Sequence, residues 1–324
     1  MTEMSFSAAI RRALTEEMER DDAVCLIGED IGVYGGAFGV TAGLLEKFGP
    51  RRVIDSPISE NSFVGVAVGA AMTGLRPVVE IMFADFLALA ADQIINHAAK
   101  FHYLYNGQVN VPLVIRTPAG AGRGYGASHS QSFEGIFMQA PGLRVVVPYT
   151  PAEARGLLKS AIRSNDPVLF VEHKLLYARR GEVPDEDTLV PLGKASILRE
   201  GSDVTIVSYG RMLDVVAEAL RDGARDVSAE VINLRSLSPL DADAITHSVA
   251  KTGHLVVVEE GVGSGGVGAE VSAIVAEKCM AYLDGPIVRV GMPKVPIPAS
   301  RPLEEALLPS ASDVAQAIRR ALSF

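Results

Sequence analysis

Residues 58–80 read ISENSFVGVAVGAAMTGLRPVVE and place one carboxylate, Glu60, at the mouth of a run that is otherwise small and apolar. A carboxylate there does one of two things. It sits on the first turn of a helix, where the dipole favours negative charge and Ser59 or Asn61 caps. Or it faces a ligand in a dry site, where burial and neighbours tune its pKa. The local pattern leaves both open. From 63 to 72 there is no amphipathic stripe, so the helix is expected to be buried all round. Gly65, Gly69 and Gly74 each cost about 1 kcal/mol of helix propensity, which suits a place where other backbones pack close.

The loop 118–131, PAGAGRGYGASHSQ, alternates glycine at 120, 122, 124 and 126 and then presents His129 between two serines. Such a chain takes positive φ repeatedly and lies close to a ligand. It has no GK[ST], so it is not a phosphate loop of that kind. A loop histidine is a candidate acid or base, although one that only hydrogen-bonds within its loop is the commoner case. Glu29 in GED (28–30) follows a strand, the end at which α/β sheets bind ligands; capping a solvated turn is its ordinary role. Phe83 and Phe86 suit stacking on a ring or packing in a core. The carbonyls around Ala161, Ser164 and Asp166, at a helix-to-strand turn, suit a monovalent cation. The remaining histidines show no ligand spacing.

GSGGVG at 263–268 has the dinucleotide-binding spacing. The preceding strand, however, ends in Glu259-Glu260, which would repel a pyrophosphate. The match also opens the last third of the chain, and an apolar pair stands where an acidic residue belongs. A tight turn with close helix–strand packing is the better account.

The elements that must hold these residues alternate. Helices are expected at 5–20, 85–103, 151–163, 212–223, 241–252, 269–279 and 312–322, with another opening at Glu60. Strands are expected at 23–28, 52–55, 77–82, 111–116, 143–147, 167–172, 204–208, 229–233, 255–259 and 287–290. Apolar strands alternating with helices mean a mostly parallel sheet covered on both faces. The polar stretch ARRGEVPDEDTLVPLGK breaks the alternation. The expected division is one α/β domain at 1–185, a linker at 186–199 and a second α/β domain at 200–324.

The chain has 324 residues, 48% hydrophobic and 21% charged, with net charge −9 and two cysteines. An acidic chain without a basic run does not point to nucleic acid or an anionic membrane. Cys25 and Cys279 lack metal or CxxC spacing and read as buried thiols of a reducing compartment. With no membrane-length apolar helix and no targeting pattern at the N-terminus, the cytoplasm is the expected location.

Three stretches carry a resemblance: GEDIG with FGVTAGLLEKFGPRRVIDSPISENSFVGVAVGAAMTGLRPVVEIMFADF, GASHSQSFEG with PGLRVVVP, and DPVLFVEHKLLY. SPLD at 238–241, LVVVEEG and the final helix extend it. Together they resemble the beta subunit of the thiamine-diphosphate-dependent first component of 2-oxo acid dehydrogenase complexes, of the pyruvate, acetoin and branched-chain kinds. The resemblance implies a pyrimidine-binding domain followed by a transketolase C-terminal-like domain. It implies that Glu60 bonds a ring nitrogen of the cofactor's aminopyrimidine, that Phe86 packs on that ring, and that Glu29 lies near the cofactor. It implies that His129 assists at the substrate or acyl-transfer stage. Leu113, Ala161 and Asp166 match positions whose carbonyls bind potassium in some members, with Ser164 where others have Asp. The GDG…N motif for magnesium and diphosphate is absent, and in two-chain members it lies on the alpha subunit. The implied assembly is an alpha2beta2 heterotetramer that serves a lipoyl-bearing acyltransferase core, with pyruvate as substrate and acetoin or a branched-chain 2-oxo acid as alternatives.

Overall fold

A computed structural model describes residues 1–324. Chain contacts gather into two compact units, one of residues 1–119 and 137–192, the other of residues 120–136 and 193–324.

The first unit is built on a parallel sheet with strands in the order Val53–Asp55, Val24–Gly28, Arg76–Glu80, Val114–Ala119, Val168–His173, Arg144–Val146. The strands are buried almost throughout, as the unbroken apolar runs require. The expected strand at 111–116 starts later, at Val114. Pro112 has no N–H to give a ladder, and pairing begins beyond it. Helix Phe6–Arg20 starts at the Ser5 cap and packs on helix Pro151–Arg163, which opens with a capping box of Thr150 and Glu153. Between the two helices Glu16 receives Arg155 and Lys159, while fully buried Glu17 receives Arg163. A short antiparallel pair, Thr2–Ser5 with Arg180–Val183, ties the N-terminus down.

The continuous helix expected at 85–103 is broken into three turns of different pitch, Ala84–Ala88, Gln93–Ala98 and Phe101–Leu104. The middle one is wide: the Ala99 amide donates to the Ile94 carbonyl, five residues back, at 3.0 Å. A helical apolar pattern cannot distinguish these pitches.

The second unit has its own sheet, ordered Val288–Met292, Leu255–Val262, Val204–Ser208, Ala229–Asn233, Ser196–Arg199, parallel except for the last strand. That edge strand lies within residues 186–199, expected as a linker. Helices Met212–Asp222 and Ala311–Ala321 pack together, as do Ala242–Thr252 and Val267–Cys279. Cys25 and Cys279 are free and buried, as expected.

Candidate active site

Glu60 is the first residue of helix Glu60–Met72 and is only 5% exposed. Ser59 holds the cap position but makes no cap bond; its hydroxyl donates to Ser62 Oγ at 2.7 Å instead. The Glu60 carboxylate stands at the positive end of the helix dipole. Glu29, also 5% exposed, is brought beside it. Burial raises the Glu29 pKa and the charge of Glu60 raises it further, while the Ser59 amide opposes both. Oε1 of Glu29 is buried without a partner. Gly28 permits this arrangement, since a Cβ there would stand 2.7 Å from the Glu80 carbonyl on the neighbouring strand.

Phe86, half-buried, ends a row of rings: Phe6 to Tyr177 at 6.2 Å, Tyr177 to Phe38 at 5.2 Å, Phe38 to Phe83 at 5.9 Å and Phe83 to Phe86 at 5.8 Å. The ammonium of fully buried Lys174 lies over Phe83.

Under the rings lies a group that sequence reasoning missed. Arg116, on strand Val114–Ala119, gives a two-pronged bond to Glu172 at 2.7 and 2.9 Å and a third bond to Glu80 at 2.7 Å. Tyr177 donates to the same Glu172 at 2.7 Å. Burial alone would lower the Arg116 pKa, but Glu172 and Glu80 together hold it up. One guanidinium does not fully compensate two carboxylates, and burial raises Glu80 against the pull of Arg116. The network braces the loop that follows Glu29, because a Cβ at Gly36, where φ is +81°, would reach within 2.9 Å of Glu80 Oε1. The signal was present. PVVEIM, VPLVIRTP and PVLFVE are adjacent apolar strands with one charge set in each.

His129 belongs to the second unit, on the loop 120–136. Gly120, Gly122, Gly124 and Gly126 all take positive φ, between +71° and +94°, as the alternation predicts. Gly124 also lies close to residues 299–301, where a Cβ would come within 3.0 Å of the Ala299 carbonyl. His129 is half-buried, with Nδ1 and Ser128 Oγ 3.0 Å apart. Gln131, Ser132 and Phe133 line a cleft of about 410 Å³ with Tyr209, Glu259 and Met292.

GSGGVG wraps a carboxylate of its own chain. Glu259 accepts from the Gly268 amide at 3.1 Å, at the N-terminus of helix Val267–Cys279. A Cβ at Gly266 would collide with Glu259 Oε2 at 2.3 Å. The place where a pyrophosphate would sit is filled, which gives the close turn its reason.

Glu134 and Glu259 are both raised to about 7, chiefly by burial. The charge of Glu260 adds to the shift of Glu134, which its own amide and the Tyr209 hydroxyl oppose. A carboxyl raised on folding contributes stability that is complete below its unfolded value, about 4.5, and is lost as pH rises through about 7. The thermal midpoint is therefore expected to fall between about pH 4.5 and pH 7, and Glu134→Gln to flatten that fall. Asp185 and Asp187, lowered to about 2, titrate below this window. Equal slopes for the wild type and Glu134→Gln would refute the assignment.

At the turn of residues 161–168 the Leu113 carbonyl accepts from Val168 and the Ala161 carbonyl from Ser164. Arg76 donates to the carbonyls of Ile162 and Ser164, and Arg144 pairs with Asp166 at 2.7 Å. No cluster of three or more His, Cys, Asp or Glu residues has metal-binding geometry.

Glu29 and Glu60 thus form a buried carboxylate pair at the mouth of the Glu60 helix. Residues 2–180 match the transketolase pyrimidine-binding domain, and residues 193–314 match the transketolase C-terminal domain. The mitochondrial pyruvate dehydrogenase E1 component subunit beta-2 of Oryza sativa subsp. japonica is 47% identical, over 98% of this chain and 86% of its own. The pyruvate dehydrogenase E1 component subunit beta of Rickettsia felis is 47% identical over 96% of each chain. The 2-oxoisovalerate dehydrogenase subunit beta of Bacillus subtilis is 44% identical over 100% of each. Among solved structures, a split gene transketolase, described as an inactive beta4 tetramer, superposes with a TM-score of 0.79 at 27% identity, over 99% of this chain and 98% of its own. A buried carboxylate pair at the mouth of the Glu60 helix and full-length identity of this order lead to one conclusion: the chain belongs to the beta subunits of the E1 component of 2-oxo acid dehydrogenases, built on the transketolase fold.

Proposed function

We propose that the chain is the pyrimidine-binding half of an enzyme that uses thiamine diphosphate to decarboxylate pyruvate oxidatively and pass the acyl group to a lipoyl arm. The observation that carries this reading is the buried carboxylate pair, Glu60 at a helix N-terminus beside Glu29 with its unpartnered oxygen. Buried acceptors left without donors are costly, so a ligand that brings its own N–H suits them. When bound, thiamine diphosphate supplies a carbon centre that takes up the acyl unit. Glu60 holds a proton at the ring nitrogen it faces, and the apolar residues behind it exclude water and strengthen that bond. Glu29, its pKa raised by burial and by the charge of Glu60, stands where a proton can be passed near the ring. Phe86 supplies a flat apolar wall. His129 yields a proton at the acceptor's sulfur.

Other parts of the proposal rest on family likeness. They are magnesium and the diphosphate site on an alpha subunit, an alpha2beta2 assembly, delivery to a lipoyl acyltransferase core, and a cytoplasmic location. The helix Glu60–Met72 supports the partner. Apolar on every side, it is not buried all round in this chain: Val66 is 64% exposed and nothing lies within 4 Å of a Cβ built on Gly69. Backbone packing by an alpha chain gives Gly69 its use. Gly69→Leu is expected to block co-purification with the alpha subunit while the isolated chain keeps its circular dichroism. An intact complex would remove this face from the interface.

Potassium at Leu113, Ala161, Ser164 and Asp166 is also proposed, on the spare lone pairs of the Leu113 and Ala161 carbonyls. The ion would share its turn with the Arg76 guanidinium. A thermal midpoint that rises in potassium but not in sodium supports it, and identical midpoints dispose of it.

The alternatives are the acetoin and branched-chain activities, the second favoured by the Bacillus subtilis relative. Co-expression with the alpha subunit, followed by decarboxylation assays on pyruvate, branched 2-oxo acids and acetoin, tests the reading. Turnover of none of them, with thiamine diphosphate bound, would overturn it.

A further inference from the structure

We propose that Glu260 and Glu304 are positioning residues for His129, two buried posts that hold its glycine-rich loop in one shape. The inference rests on the role given to His129 above. Glu260 stands on strand Leu255–Val262 and Glu304 on helix Arg301–Leu307, 4% and 1% exposed. One oxygen of Glu260 accepts from the Ala121 amide at 2.8 Å and from the Ser132 hydroxyl at 3.3 Å. The same carboxylate thus grips the loop before and after His129. Backbone pairing of Gly120 N–H with the Gln131 carbonyl, at 3.4 Å, closes the same base. Glu304 accepts from the Gly124 amide at 2.7 Å and pins the far side. Inside this frame the His129 amide donates to the Gly126 carbonyl at 3.3 Å.

The loop needs such posts. Four glycines at positive φ give it no intrinsic preference for one shape, and their freedom must be removed by bonds. A carboxylate accepting N–H groups makes stronger bonds than a neutral acceptor, and a reactive side chain must be held to within a fraction of an ångström. The need is mutual, because a buried carboxylate requires donors, and the loop provides them. Neighbouring Glu259 is committed to its own helix end, so consecutive glutamates serve opposite sides of one strand.

Arg123, inside the frame, offers a readout that does not depend on chemistry, since trypsin cuts after arginine only where the loop opens. The test uses the enzyme assembled with its alpha subunit, as wild type, Glu260→Gln, Glu304→Gln and the milder Ser132→Ala. Cleavage at Arg123 is expected to speed up about tenfold in the two glutamine variants, the scale of lost outer-shell partners. Acyl transfer to a lipoyl domain is expected to fall by about the same factor, with decarboxylation measured by an artificial electron acceptor held within about threefold. Ser132→Ala, which removes one donor only, falls between. Unchanged cleavage at Arg123 would overturn the posts. Faster cleavage with both activities reduced equally, or with neither reduced, would overturn their link to His129. If the assembled enzyme decarboxylates no 2-oxo acid, the functional reading fails while the cleavage result still decides whether the posts hold the loop.

Discussion

Glu60→Gln is expected to cut turnover by about 10²–10⁴-fold, the range typical of acid–base groups, while the chain still folds and joins its partner. The amide keeps the volume and a hydrogen bond but cannot hold the proton that the ring nitrogen requires. Removing its charge relieves the repulsion on Glu29 and gives up a favourable interaction with the helix dipole. Loss of the negative charge at the helix N-terminus costs about 0.3–1 kcal/mol, too little to account for such an effect through stability. Activity within a few-fold of wild type would reduce Glu60 to a helix residue. A fall in activity matched by loss of assembly would make the effect structural.

Arg116→Met is expected to be the most destabilising single change in the first unit. It leaves Glu80 and Glu172 buried with no cation between them, and breaking a buried ion pair costs about 3–5 kcal/mol. For a domain of this size each kcal/mol moves the thermal midpoint by roughly 2–4 °C. Neutralising the carboxylates at the same time, in Arg116→Met with Glu80→Gln and Glu172→Gln, is expected to restore much of the loss, because neutral groups carry a far smaller desolvation penalty. A triple variant no better than Arg116→Met would show that the guanidinium's shape, rather than its charge, is what the core needs. An unchanged midpoint in Arg116→Met would show that the carboxylates take up protons at little cost.

Much of this was legible before the structure. Apolar strands in alternation gave a parallel sheet, the helix expected from Pro151 starts at that residue, and four alternating glycines forecast four positive φ angles. What escaped depends on partners distant in sequence. No local pattern says that Arg116 meets Glu172 and Glu80, 56 and 36 residues away. The three pitches between Ala84 and Leu104 share one apolar spacing and differ only in which carbonyl each amide finds. Glu60, Glu29, Phe86 and His129 were named from likeness to a family as much as from chemistry. The structure adds the nearness of Glu29 to Glu60, but nothing in either stretch alone required it. The Glu260 and Glu304 posts were hidden for a different reason. A buried glutamate on a strand or a short helix looks like any solvated one until its donors are seen.

Glu259 deserves a last consequence. A helix start rich in glycine is usually a vacant berth for somebody else's phosphate; here the chain moors its own side chain in it. The berth is occupied from the moment of folding, and no nucleotide can evict a tenant joined to the same backbone. A survey that scores the six residues of GSGGVG without looking at how the preceding strand ends will therefore count this chain among nucleotide binders, and the residue that corrects the count stands four positions upstream of the pattern.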